Sequence, residues 1–248
     1  MIPCLLKRGG GLVKSVRFQH HRYVGDPMNA IKIFNEKEVD ELIVLDIDAS
    51  RKESPIDWDG LRRMAEECFM PLCYGGGVRS VKDAVALVGV GVEKVALNSA
   101  ALRDPDLLSA LADRLGSQSV VAAIDVKKTW WGGERVFDHV TGRATRFSAV
   151  EHAQRLVERG AGEILLTSVD RDGTGRGYDL DLVGRVAGAV GVPVIACGGA
   201  GRVADLADVV NRGGASAAAA GSLFVFHGPH RAVLINYPEY RELEKVLS

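Results

Sequence analysis

Two glycine clusters stand at matching places in this chain, and each is followed downstream by a small polar pair. Gly75-Gly76-Gly77 is followed by Asn98-Ser99, and Gly198-Gly199 by Gly221-Ser222. Glycine lets main-chain N–H groups approach an anion closely, and a helix starting just beyond adds its unpaired N–H groups and positive dipole end. One such cluster is equally well read as a tight turn. Two of them, related by symmetry and each followed by a hydroxyl or amide side chain, point to a ligand with two phosphates. A carboxylate, Asp125, ends the apolar run Ala122-Ala123-Ile124. That position suits proton transfer to a ligand or, alternatively, a cap on the next loop.

The matching extends along the chain. Glu41-Leu42-Ile43-Val44-Leu45-Asp46-Ile47-Asp48 runs parallel to Glu163-Ile164-Leu165-Leu166-Thr167-Ser168-Val169-Asp170, Pro71–Val78 to Pro193–Ala200, and Val95–Ser99 to Ala218–Ser222. The chain is therefore a duplicated unit of about half its length. Each unit holds several strands and helices, which excludes a short solenoid repeat. The halves disagree at one place: where one offers Asp125, the other offers Leu6.

Elements that could position these residues alternate. Apolar runs rich in Val, Ile and Leu lie near 2–6, 42–47, 71–74, 94–97, 119–126, 163–168, 192–197 and 216–220 and read as eight strands. Amphipathic stretches at 27–38, 58–68, 80–89, 104–114, 148–159, 179–190, 202–212 and 238–247 read as helices, with Ser80, Ser148 and Asp179 as caps. Continuously apolar strands suit a sheet covered on both faces. Eight βα units in two equal halves predict an α/β fold, a closed (βα)8 TIM barrel with a twofold half-barrel repeat. An open doubly wound sheet is the rival, but it leaves the duplication of four βα units unexplained. The insertion at 127–147, with Trp130-Trp131-Gly132-Gly133 and Thr141-Gly142-Arg143 as turns, reads as a hairpin after the fifth strand.

Composition narrows the function. No Pro/Ser-rich linker or charge run divides the 248 residues, so a single domain spanning 1–248 is expected. A net charge of -1 offers no basic footprint for nucleic acid or anionic membrane, and the partners expected are small molecules or another protein. No apolar run is long enough for a membrane span and the N-terminus lacks a signal-peptide plan, so a cytoplasmic protein is expected. Cys4, Cys68, Cys73 and Cys197 are scattered without metal-ligand spacing and read as reduced core thiols; no metal site is expected.

The segments at 2–5, 40–47, 75–78, 97–101, 116–121, 123–127, 160–174 and 195–201 closely resemble HisF, the cyclase subunit of imidazole glycerol phosphate synthase. The resemblance runs from residue 2 to about 226 almost without gaps. It implies a HisH-like glutaminase docked at the N-terminal barrel face, and ammonia crossing the barrel to a phosphorylated small molecule. That molecule is the bisphosphate phosphoribulosyl-formimino-aminoimidazole carboxamide ribotide. No metal or redox cofactor is implied. By motif position, Gly77, Asn98 and Ser99 would hold one phosphate, and Asp172, Gly173, Gly199, Gly221 and Ser222 would frame the other. Asp125 matches one of two catalytic aspartates, which suit a reaction that both removes and returns protons.

Three departures accompany the resemblance. Leu6 stands where the second aspartate belongs, and leucine carries no proton; sliding the strand to bring Lys7 in would turn Leu5 and Leu6 to the wrong faces. Lys14, in a first loop expected to be mobile, matches a family lysine and remains available for catalysis. Glu41, Lys94 and Glu163 match a charged gate to the ammonia passage whose arginine partner has no counterpart here, so looser closure is expected; alternatively they are solvated rim charges. The tail from His227 to Pro238 resembles HisF-like paralogues that accompany ATP-dependent sugar amidotransferases of surface-polysaccharide pathways. His227 and His230 read as solvated loop residues. A paralogue that conducts ammonia to such a sugar amidotransferase is thus favoured over a genuine cyclase. A HisA-type isomerase also needs an acid/base pair and has no use for gate charges.

Overall fold

In the computed structural model, which describes residues 1–130 and 132–247, the chain alternates strand and helix and closes on itself. It opens with β1 (Ile2–Arg8), turns back through the hairpin β2 (Gly11–Val16) and β3 (Gln19–Gly25), and enters α1 (Pro27–Glu36). Then follow β4 (Leu42–Asp46), α2 (Trp58–Glu67), β5 (Leu72–Gly75), α3 (Val81–Gly89), β6 (Lys94–Leu97), and the helices α4 (Ser99–Arg103) and α5 (Asp106–Leu115). The second half runs β7 (Val120–Lys128), β8 (Glu134–Asp138), β9 (Arg143–Ala144), α6 (Ala149–Glu158), β10 (Glu163–Ser168), α7 (Leu180–Ala187), β11 (Val194–Cys197) and α8 (Val203–Asn211). It ends with β12 (Ala217–Ala220), α9 (Ser222–Val225), β13 (Phe226–His227), β14 (Ala232–Val233) and α10 (Tyr240–Leu247).

Strands β1, β4, β5, β6, β7, β10, β11 and β12 pair in parallel around a closed ring. Closure needs two seams: β7 lies against β10 with Asp125 opposite Thr167, and β12 lies against β1 with Ala219 opposite Ile2. The fold is the (βα)8 barrel expected from the duplicated sequence.

Alternation along the strands divides the core into two layers. Inward-facing side chains, among them Ile2, Cys4, Ile43, Cys73, Leu165 and Ile195, pack together inside the barrel. Outward-facing ones such as Val44, Tyr74, Leu97, Ile124 and Leu166 pack under the helices. Both strand faces are therefore dry, which explains the continuous apolar runs. The helices start where their caps dictate. Ser80 Oγ accepts from Asp83 N at 3.1 Å, Asp179 Oδ1 from Leu182 N at 3.2 Å, and Ser148 with Glu151 forms a reciprocal capping box.

Strand and helix boundaries fall within a few residues of those read from periodicity. The first βα segment is a correction. Residues 11–25, expected to form a mobile loop, form an antiparallel hairpin that extends β1 through Leu6 opposite Val13. Its backbone is anchored across the barrel mouth, where Arg17 N donates to Asp172 O at 3.0 Å. The segment 127–147 folds back as β8 against the end of β7, as the turn residues suggested; Trp131 of that turn lies outside the described residues.

The tail is tied to the same mouth. Two guanidinium groups lie over Phe226, Arg22 at 5.3 Å and Arg231 at 4.7 Å from its ring centroid. Arg22 Nη1 donates to Arg231 O at 3.1 Å, and Arg231 Nη1 to Gly173 O at 3.3 Å. His227 and His230 are exposed. Among the described residues no helix is long and apolar enough to cross a membrane.

Candidate active site

Loops at the C-terminal ends of the barrel strands surround one pocket, where the chemistry of such barrels is carried out. From the first half, Leu6, Lys14, Gly77, Asn98 and Ser99 line it. The second half supplies Asp125, Asp172, Gly173, Gly199, Gly221 and Ser222. The geometry thus brings every proposed phosphate and catalytic residue to one cavity, although they come from seven different βα units.

The glycines serve close approach. Gly76 has φ +118° and Gly199 φ +125°, values that side-chain-bearing residues rarely adopt. At Gly76 a Cβ would collide with the carbonyl oxygen of Asp46, and at Gly199 with that of Gly177. The symmetry seen in the sequence is therefore real in space: each cluster folds the chain tightly over the end of the preceding barrel strand.

Asp125 ends the inward-facing series Val121, Ala123, Asp125 on β7, and Leu6 ends the equivalent series Ile2, Cys4, Leu6 on β1. Both final residues face the pocket. Lys7 turns the other way, its Nζ 2.9 Å from Asp46 Oδ2 and 3.2 Å from Asp57 Oδ2. Burial alone would lower the Lys7 pKa, but these two carboxylates hold it above the ordinary lysine value. Lys7 is a tie between β1, β4 and the cap of α2, and the pocket receives leucine.

Asp125 itself is held firmly. Asn98 Nδ2 donates to its Oδ2 at 2.8 Å, and His139 Nδ1 lies 3.3 Å from the same oxygen. The other ring nitrogen, Nε2, lies 3.4 Å from Ser99 Oγ. Burial would lower the His139 pKa, yet hydrogen bonding to Asp125 and the charges of Asp125 and Asp138 outweigh it and hold the imidazole above its usual value. His139 follows β8 in the folded-back insertion and lines the pocket. Nothing in its sequence spacing singles it out, since its partners are brought to it only by folding.

On the opposite wall, Lys14 is buried and its Nζ donates to the main-chain oxygen of Cys4. Burial pulls its pKa down, with Asp172 and the thiols of Cys4 and Cys197 opposing. Asp172 is also desolvated, which raises its pKa against the pull of Lys14 and of Ser15 Oγ, which donates to it at 3.0 Å. The lysine and the carboxylate approach the pocket with little water, and each favours the charge of the other. Arg8, His21 and Arg51 add cationic or protonatable groups at the rim.

Glu41, Lys94 and Glu163 lie elsewhere, at the N-terminal ends of β4, β6 and β10. Lys94 Nζ is 2.8 Å from Glu41 Oε2 and contacts both Glu163 oxygens at 2.8 and 3.0 Å. Glu41 Oε1 is buried without a hydrogen-bond partner, and desolvation keeps the Glu41 pKa above normal despite Lys94. Between this cluster and the pocket the lumen is filled by apolar side chains, several of them as small as Ala96, Ala123 and Ala219.

The profile of the family described as histidine biosynthesis protein matches residues 1–230. A Pseudomonas aeruginosa protein provisionally named imidazole glycerol phosphate synthase subunit hisF2 is 55% identical over 244 residues, covering 98% of this chain and 97% of the relative. The provisionally named subunit hisF3 of Vibrio vulnificus is 49% identical, covering 100% of this chain and 96% of the relative. Imidazole glycerol phosphate synthase subunit HisF of Hyphomonas neptunium is 50% identical over 91% of this chain and 89% of its own.

Proposed function

The chain belongs to the histidine biosynthesis protein family as a HisF-like subunit, and from that premise we propose that it receives ammonia from a HisH-like glutaminase at its N-terminal face. The ammonia enters past the Glu41–Lys94–Glu163 cluster. It crosses the apolar lumen as the neutral molecule, because a bare ammonium ion would have to shed its hydration there. It emerges in the pocket at the C-terminal face, which is built for a ligand with two phosphates.

The observation that carries this reading furthest is the pairing of Leu6 with Asp125 at equivalent inward positions of β1 and β7. A cyclase acting through two opposed carboxylates lacks one of them, and loss of a positioned acid/base group costs about 10²–10⁴ in rate. Ammonia is therefore passed on, and an ATP-dependent sugar amidotransferase of surface-polysaccharide synthesis is the acceptor the tail resemblance favours. Co-purification with a HisH-like protein and a rise of its glutaminase activity on binding are the expected results. Failure to form the complex overturns the reading.

A second reading, genuine cyclase of histidine biosynthesis, is supported by the intact glycine cradles and by the imidazole beside Asp125. The two are separated by the purified chain, ammonium salt and the ribulosyl bisphosphate. Turnover at an ordinary family rate favours the cyclase; bound bisphosphate without turnover favours the conduit.

A further inference from the structure

We propose that His139 is the proton-transferring residue of this pocket, its Nε2 serving in turn as base and acid while Asp125 orients the ring. The inference rests on the cyclase reading. The geometry has the three parts of an oriented imidazole: Asp125 Oδ2 at 3.3 Å from Nδ1, Asn98 Nδ2 fixing the same oxygen at 2.8 Å, and Nε2 directed to the pocket beside Ser99 Oγ at 3.4 Å. The hydrogen bond to Asp125 places a proton on Nδ1 and leaves the Nε2 lone pair facing the pocket-lining hydroxyl of Ser99.

One ring then does what two carboxylates would. The ammonia nitrogen forms a bond to the electrophilic carbon of a carbonyl-bearing phosphorylated substrate, and the displaced π pair moves to that carbon's oxygen. An N–H proton passes from the new ammonium centre to Nε2, giving imidazolium. That proton returns to the oxygen, giving a neutral carbinolamine. A second N–H proton then passes through Nε2 to the hydroxyl as the C–O bond breaks and the nitrogen lone pair forms C=N, so one water leaves and the ring ends as it began. No group is needed on β1, which accounts for a pocket that keeps Asp125 and tolerates Leu6.

The ring is suited to both directions. Asp125 on β7 and Asp138 beside it raise its pKa, Arg51 from the loop after β4 and burial lower it, and the balance lies above the free histidine value.

The test uses the full-length protein with ammonium salt and the ribulosyl bisphosphate, measuring kcat and KM across the neutral pH range. NMR titration of the ring and calorimetric binding of the bisphosphate accompany it. His139→Gln and His139→Asn are expected to lower kcat by about 10²–10⁴, with bisphosphate affinity retained as proof of fold. The ionisation in the wild-type kcat profile is expected to coincide with the His139 titration, and both to move to lower pH in Asp125→Asn. Wild-type kcat in either His139 variant overturns the role of His139 and leaves the cyclase reading standing. A wild-type protein that binds bisphosphate without turning it over overturns both.

Discussion

Lys94 grips Glu163 with both carboxylate oxygens, at 2.8 and 3.0 Å, across the N-terminal mouth of the barrel. The same ammonium also reaches Glu41, so one cation restrains two anions whose side chains are mostly buried. Lys94→Met is expected to cost about 1–3 kcal/mol at neutral pH, because it leaves two facing carboxylates unpaired. The penalty should have a definite pH signature. Desolvation already raises the Glu41 pKa, and removing Lys94 raises it further. The lost stability returns as pH falls below the ordinary glutamate range and is largest above the raised value. Urea midpoints of wild type and variant at acid and neutral pH measure this; a pH-independent difference would contradict it.

Leu6→Asp would restore an opposed carboxylate on β1. Where ammonia is passed on for want of this carboxylate, ammonium-dependent turnover of the ribulosyl bisphosphate rises by about 10²-fold and Leu6→Asn gains nothing; where His139 carries the protons, neither variant gains. Stability should fall by about 1–3 kcal/mol, since a partly buried carboxylate replaces an apolar side chain. Equal turnover in Leu6→Asp and Leu6→Asn would show that a carboxylate at this position is not what the pocket lacks.

Lys14 offers a separation of binding from stability. Its ammonium is buried against the backbone of Cys4, and desolvation lowers its pKa. Lys14→Met removes that desolvated charge and should leave the unfolding midpoint unchanged within about 1 kcal/mol. Anion affinity should nevertheless drop at least tenfold, as a calorimetric titration with the bisphosphate would record. A severe loss of stability with unchanged affinity would place Lys14 in the scaffold alone.

His152 gives an acid-sensitive element remote from the pocket. It is buried on α6, stacked on Phe147 at 5.5 Å, with Nδ1 lacking a partner. Burial, helped by the charge of Arg155, pulls its pKa down to about 4. The folded state therefore keeps the ring neutral, while the unfolded chain takes a proton below about 6.5. Its contribution is full above that value and is lost as pH falls toward 4, a swing of about 3 kcal/mol. His152→Leu should flatten the urea midpoint over this window relative to wild type; parallel curves would refute the assignment.

Much of this architecture was readable from the repeat. Asp125, Lys94 and Glu163 lie on strands, and the glycine clusters and Glu41 directly flank strands, whose spacing sets their place in a barrel. What could not be read depended on contacts between distant segments. The hairpin at 11–25 lacks a strong apolar alternation on β3, where most side chains are exposed, and it is held by the loop that carries Asp172 and Gly173. Helices α4 and α9 are too short to show periodicity. His139 carries no signal in the sequence, because its chemistry comes from Asp125 on one strand and Ser99 beyond another.

The seam between β1 and β12 has a kinetic consequence. Ile2 finds Ala219, and Pro3 finds Ala220, only when nearly the whole chain exists. During synthesis the first strand is exposed on that edge until the last arrives, while β4 and its successors can pair as they emerge. Pairings this distant in sequence are slow to form, and an open strand edge is prone to join other chains. Ring closure is thus expected to be the late step of folding, and premature release or truncation before β12 to end in aggregation.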